Sequence, residues 1–175
     1  LGTLCAVVTG VIFASGHIRA AGWFFGLTAF FDVVDGAVAR RTGAASAFGA
    51  FYDSTLDRVA DAAVLGGLLV FYSRDTPQQS VAMVTVALLA VVGAFLTSYT
   101  RARAEPLGVD AKVGWLQRPE RVVLLAAPPA FFGLALDGWV LRAVVIVLAV
   151  TSWMTVVQRI RFVHHALPTN EHRDG

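Results

Sequence analysis

Apolar stretches broken by short polar connections run the whole length of this 175-residue chain. Read by that pattern, they occupy 1–16, 20–41, 47–72, 79–105, 119–136 and 138–162. A helix that crosses a bilayer needs roughly 17–25 mainly apolar residues. The pattern therefore predicts a bundle of six transmembrane helices, several of them long enough to reach the interface. The connections SRDTPQQ and EPLGVDAKVGWLQRP are polar and carry Pro or Gly, as turns do. Composition agrees: 57% of residues are hydrophobic and the mean hydropathy is +0.67, above the range of soluble domains. The chain reads as one all-α integral-membrane domain over 1–165, with a polar tail over 166–175 that is expected to fray. Its first segment opens in mid-pattern at LGTLCAVVTG, with neither an initiator Met nor a basic flank. It is read as a truncated helix rather than a signal peptide.

Charge placement orients the bundle. Six passes put Arg19, Arg74 and Arg142 on one side, and Arg40, Arg41, Arg101, Arg103, Lys112, Arg118, Arg121, Arg159, Arg161 and Arg173 on the other. Arg58 lies within a span. The positive-inside rule puts the richer side in the cytoplasm, so a multi-pass protein of the cell membrane is expected. A net charge of +2, with basic residues at helix ends rather than along one stripe, indicates no nucleic-acid partner. The single Cys5 excludes an internal disulfide and a cysteine metal site. His164, His165 and His172 come too late in the chain to build a site on.

The chemistry lies in FFDVVDGAVARRTGAASAFGAFYDSTLDRVAD, residues 30–61, where five aspartates stand among apolar residues on the basic side. An ionised carboxylate within a membrane faces the bundle interior or a watery cavity and has a partner. Asp32 and Asp35 share one helical face, and Asp53, Asp57 and Asp61 share another. The short RTGAASA connection predicts that these two helices are antiparallel neighbours with converging acidic faces. Carboxylates that close stay ionised only around cations, and an oxygen-only donor set favours Mg²⁺ or Mn²⁺. Mg²⁺ completes its shell with water and phosphate oxygens, which implies a phosphate-bearing substrate. Gly36 and Gly49 permit close approach to the helices, and Arg40 offers a forked donor to phosphate. Two other uses of such acids are ion pairs with Arg40 and Arg58 and a cation pathway through the membrane.

The full spacing is more specific than any pair: Asp32-x2-Asp35-Gly36-x2-Ala39-Arg40-x8-Gly49-x3-Asp53-x3-Asp57. All eight fixed positions match the CDP-alcohol phosphotransferase family, which this chain therefore resembles. The resemblance implies six transmembrane helices, a homodimer, and a two-metal site at the cytoplasmic face. It also implies displacement of CMP from CDP-diacylglycerol by an alcohol. On that likeness Asp32, Asp35, Asp53 and Asp57 hold two Mg²⁺ or Mn²⁺ ions, and Asp57 is the general base on the acceptor hydroxyl. Gly36, Arg40 and Ser46 match positions that contact the CDP moiety. Asp61 stands outside the pattern and is expected to partner an arginine.

The segment ends SYTRARAE, QRPER and VVQRIR fall on the aspartate side. Together they bring Arg101, Arg118, Arg121 and Arg159, with Arg103 and Arg161, to one face. Each arginine alone reads as an interfacial anchor; the group wants an anion, which a phosphorylated polyol acceptor supplies. The same segments resemble one branch of the family, the bacterial phosphatidylinositol-phosphate synthases. That resemblance implies inositol phosphate as acceptor, bound by Arg101, Arg121 and Arg159. Relatives tend to carry lysine where Arg101 stands. The alternatives are a phosphatidylglycerophosphate synthase using glycerol 3-phosphate, a cation transporter, and a catalytically silent scaffold.

Overall fold

The structure, a computed structural model, describes residues 2–41, 46–114 and 118–167, and the side chains of all of these except residues 33–41 and 118. Six α-helices run through the described residues in the predicted order: α1 Gly2–Ala14, α2 Ile18–Arg41, α3 Ala47–Ser73, α4 Val81–Ala104, α5 Arg118–Phe132 and α6 Trp139–Ala166. Short 3-10 turns at Glu105–Leu107 and Leu136–Gly138 complete the regular structure, and the described residues contain no strand.

Local chemistry sets the helix ends. Ser46 caps α3 by accepting the Gly49 N–H at 3.0 Å, and Ser80 caps α4 by accepting the Met83 N–H at 3.3 Å. α5 stops at Phe132 rather than at the expected 136, because Gly133 takes a positive φ of 56° that ends the helix in a left-handed turn. Pro128 and Pro129 lie inside α5 and withdraw two backbone donors from its last turns. α6 runs past the expected 162 to Ala166.

The helices form a closed ring in the order α1, α3, α4, α6, α5, α2, each packing on its two neighbours. Close contacts give their relative directions. Gly10 of α1 faces the Ala63 carbonyl and Gly67 of α3, and Arg74 Nη1 donates to the Ala14 carbonyl at 2.7 Å; α1 and α3 run the same way. Arg19 packs on Gly133, and Gly22 on Ala126 and Ala130, so α2 and α5 run oppositely. Gly93 meets Ser152, and further along Thr97 accepts from Arg159, so α4 and α6 run together.

The sequence reading made α2 and α3 direct neighbours, and that expectation is corrected. Among the described residues they do not pack on one another, and α1 packs on both. A short connection fixes how far apart two helix ends lie, not whether a third helix enters between their bodies.

Phe13, Leu68, Phe71, Tyr72, Leu141 and Leu148 fill the core. The outside carries many large apolar side chains, among them Phe30, Phe31, Phe48, Phe51 and Phe131, each at least 60% exposed; so broad an apolar surface suits lipid, not water. Val81–Leu107 and Leu136–Ala166 are each long and apolar enough to cross a membrane. α1 and α5 are shorter, with 13 and 15 residues, and α2 and α3 carry the aspartates.

Two adjacent glycines test the α1–α3 contact. A Cβ at Gly67 would collide with the Gly10 backbone, whereas one at Gly66 meets nothing within 4 Å. Gly67→Ala should destabilise the protein by about 1–3 kcal/mol through overpacking. Gly66→Ala should be neutral or stabilise by up to about 1 kcal/mol through helix propensity. Thermal unfolding in detergent, compared for the two variants, reads the difference.

Candidate active site

The ring brings the acidic and the basic segments to one end. α1 and α3 advance with the same rise per residue, so the Gly10–Gly67 contact puts Gly2 on the level of the Asp57 turn. The Asp32 carboxylate lies directly against Gly2, in the space a Cβ there would fill. Following α2 and α5 in opposite directions from Gly26 against Ala126 puts Asp32 on the level of Arg121. Asp32, Asp57 and Arg121, from three different helices, therefore share one layer.

Asp32 and Asp53 are exposed. Asp57 is half-buried, with Oδ2 at 3.9 Å from Arg58 Nη2. Asp61, one turn deeper in α3, sits with Oδ2 at 3.4 Å from Arg121 Nη1, as the expectation of an arginine partner had it. Among the described residues no three His, Cys, Asp or Glu side chains come together as a ready metal cage. Asp35, Gly36 and Arg40 of the proposed metal and nucleotide set, and Arg118 of the acceptor set, have side chains outside those described. The described donors are all oxygens of Asp32, Asp53 and Asp57, with no thiolate or imidazole in that layer. This set fits a hard divalent cation that takes few carboxylates and keeps positions open to water and phosphate.

Ser46, assigned to the CDP moiety by sequence, is the N-cap of α3. Its oxygen accepts the Gly49 N–H and its own proton remains available for donation. A capping residue three before a glycine was a signal the sequence carried. Gly49, half-buried at the start of α3, leaves little between that turn and an approaching ligand.

Around the acids lies a group of arginines. Arg101, Arg121 and Arg58 are near enough to Arg159 to act on its charge. Arg159 is tied to the backbone: Nε donates to the Val113 carbonyl at 2.9 Å, and Nη1 donates to the Thr97 carbonyl. These bonds bind α6 to the end of α4 and to the loop after it. That loop is drawn in at Gly114, whose φ of 148° favours glycine and whose Cα faces Thr155. Arg101 forms an exposed pair with Glu105 at 3.4 Å. Arg58 and Asp61 were left out of the sequence-based site; their spacing placed them on α3, but only the fold sets them beside Arg121 and Arg159. A groove of about 300 Å³ between the last turns of α4 and α6, lined by Tyr99, Arg103, Leu107, Ile160 and His164, lies apart from the acids and includes none of them.

Comparison with known proteins identifies the architecture. The family model of CDP-alcohol phosphatidyltransferases matches residues 1–158. A phosphatidylinositol phosphate synthase of Mycobacteroides abscessus is 39% identical over 170 residues, spanning 97% of this chain and 74% of that protein. An archaetidylinositol phosphate synthase of Methanothermobacter thermautotrophicus is 36% identical, spanning 95% of this chain and 80% of that one. The crystal structure of the Mycobacterium tuberculosis phosphatidylinositol phosphate synthase with CDP-DAG bound superposes with a TM-score of 0.82 at 34% identity, over 93% of this chain and 82% of that one. The same enzyme in complex with manganese and citrate gives 0.81 at 33%, over 94% and 79%. The eight-position aspartate motif, the helical ring and these likenesses agree, and the chain belongs to the CDP-alcohol phosphatidyltransferase family.

Proposed function

We propose that this protein is a membrane enzyme that transfers the phosphatidyl group of CDP-diacylglycerol to a phosphorylated polyol, inositol phosphate, and releases CMP. The observation that carries the reading is the coincidence, at one end of the ring, of the acid layer and the arginine group. A reaction between a diphosphate-linked lipid and a phosphorylated alcohol needs both. The relatives named for phosphatidylinositol phosphate synthesis and the neighbour solved with CDP-DAG support the same chemistry.

In this reading the acceptor hydroxyl oxygen forms a bond to the phosphorus that carries the diacylglycerol. The bond from that phosphorus to the bridging oxygen of CMP breaks, and the hydroxyl proton passes to the Asp57 carboxylate. Asp32, Asp35, Asp53 and Asp57 hold two Mg²⁺ or Mn²⁺ ions. When bound, such ions clamp the diphosphate and neutralise charge on the leaving CMP. Gly36, Arg40 and Ser46 bind the CDP moiety. Arg101, Arg118, Arg121 and Arg159 receive the acceptor's phosphate. Arg159, fixed by two backbone carbonyls, does so as a preorganised donor.

The alternation of helix directions along the chain supports six passes through the cell membrane, with the acid end facing the cytoplasm as the arginine bias requires. Residues 1–165 form the transmembrane domain, residues 166–175 are a polar tail, and the protein works as a homodimer among membrane lipids.

CMP release from CDP-diacylglycerol, measured against a panel of polyols and their phosphates, should be fastest with inositol phosphate. Turnover of glycerol 3-phosphate without inositol phosphate would instead identify a phosphatidylglycerophosphate synthase. Asp57→Asn should lower CMP release by about 10²–10⁴-fold, the usual contribution of a general base, while manganese binding, followed by its paramagnetic signal, is weakened but retained. A chelator should abolish turnover and added Mg²⁺ or Mn²⁺ restore it; full activity in excess chelator would sink the metal assignment.

A further inference from the structure

Asp61 is outside the eight-position motif and has no role in the reaction as proposed above. Its surroundings give it one. α3 and α5 do not pack on one another among the described residues, yet the Asp61–Arg121 pair joins them at 3.4 Å, with 17% and 11% of the two side chains exposed. Among the described residues, this is the ion pair that spans the space between those helices. Arg121 Nε is buried there without a hydrogen-bond partner among the described groups. The guanidinium thus faces the Asp61 carboxylate with Nη1, as an ion pair rather than a hydrogen bond, while its Nε has no partner among the described groups and Arg159 lies near enough to feel its charge.

We infer that Asp61 is a positioning residue that holds Arg121 across the gap between α3 and α5, so that the guanidinium presents its free edge to the phosphate of the acceptor. The inference rests on the acceptor-phosphate reading of Arg121. A flexible arginine side chain loses rotamer entropy when it is fixed in one geometry. Anchoring one edge removes much of that cost before the anion arrives. The carboxylate also offsets part of the repulsion among the neighbouring guanidiniums, which otherwise drives Arg121 away from Arg159.

Charge and orientation have opposite signs here, and that makes the inference testable. If Asp61 served only as a counter-charge, its neutralisation would leave the arginine group more positive and tighten the binding of an anionic acceptor. If it positions Arg121, neutralisation weakens that binding. The test uses the full chain in lipid nanodiscs and reads CMP release over a range of inositol phosphate concentrations. Asp61→Asn should raise the acceptor KM about tenfold, the scale of one hydrogen bond to a charged group, with the KM for CDP-diacylglycerol within about twofold of wild type. Combined with Arg121→Lys, it should add little to the loss from Arg121→Lys alone. An unchanged or lowered acceptor KM, or additive losses in the double variant, would overturn the positioning role. Should Asp61→Asn not fold, Asp61→Glu in the Arg121→Lys background replaces it. The longer carboxylate reaches the shorter reach of lysine and should recover acceptor KM; no recovery overturns the inference. Arg121→Lys alone separates this from the reading beneath it. If that variant leaves the acceptor KM untouched, the phosphate role of Arg121 fails. If it raises KM while Asp61→Asn does not, only the positioning role of Asp61 fails.

Discussion

A charge is expensive in hydrocarbon, and the helix ring confines its charges to its ends. No Asp, Glu, Lys or Arg occurs in 20–31, 62–73, 81–100, 122–136 or 143–158, or anywhere in α1. The middle of every helix except α3 is therefore apolar, and the ionic groups outside α3 gather in two end layers. One layer holds Arg19, Arg74 and Arg142 with Asp75, Asp137 and His17. The other holds the motif aspartates together with most of the arginines. This layer extends inward, because Asp57, Arg58 and Asp61 lie three to four turns inside α3, at roughly 3.6 residues per turn from Ala47. Carboxylates at that depth need partners; Asp57 has Arg58 of its own helix, and the ring supplies Arg121 of α5 to Asp61.

Close helix packing makes the layer possible. Gly10 against Gly67, Gly22 against Ala126 and Ala130, and Gly93 against Ser152 bring backbones together where lipid supplies no hydrophobic drive between helices. These contacts fix axial register. Register in turn puts Asp32, Asp57 and Arg121 on one level, although 89 positions separate the first from the last in the chain (121 − 32). A slip of one turn along α2 or α5 would part the acid that meets Gly2 from the arginine that meets Asp61. The hydrogen bonds of Arg159 to the Thr97 and Val113 carbonyls do the same for α6, and they also fold the loop after α4 over the arginine group.

The outer surface tells the complementary story. Aromatic and branched side chains face outward on every side, and the apolar groove between α4 and α6 is edged by Arg103 and His164. A surface of this kind has lipid for solvent, with basic and aromatic residues at its borders. The polar site is thereby enclosed by helices whose outer faces are apolar, so a lipid-linked nucleotide meets its water-soluble acceptor at a boundary between two solvents.

The helix count, helix order and membrane class were legible in the linear chain because hydrophobic runs and turn residues are local signals. The motif from Asp32 to Asp57 was legible for the same reason: its spacings lie within one hairpin-length segment. Other features depended on the tertiary structure. The entry of α1 between α2 and α3 is set by glycine contacts far apart in sequence. The backbone ties of Arg159 depend on where a loop folds, and carbonyl groups carry no residue identity to read. The pairing of Asp61 with Arg121 joins helices that do not otherwise touch. The sequence by itself therefore determined the family motif and the end of each helix at which the charged groups stand. Only the packing of the ring decided which of them face each other, because helix register and side-chain pairing are properties of distance in space rather than along the chain.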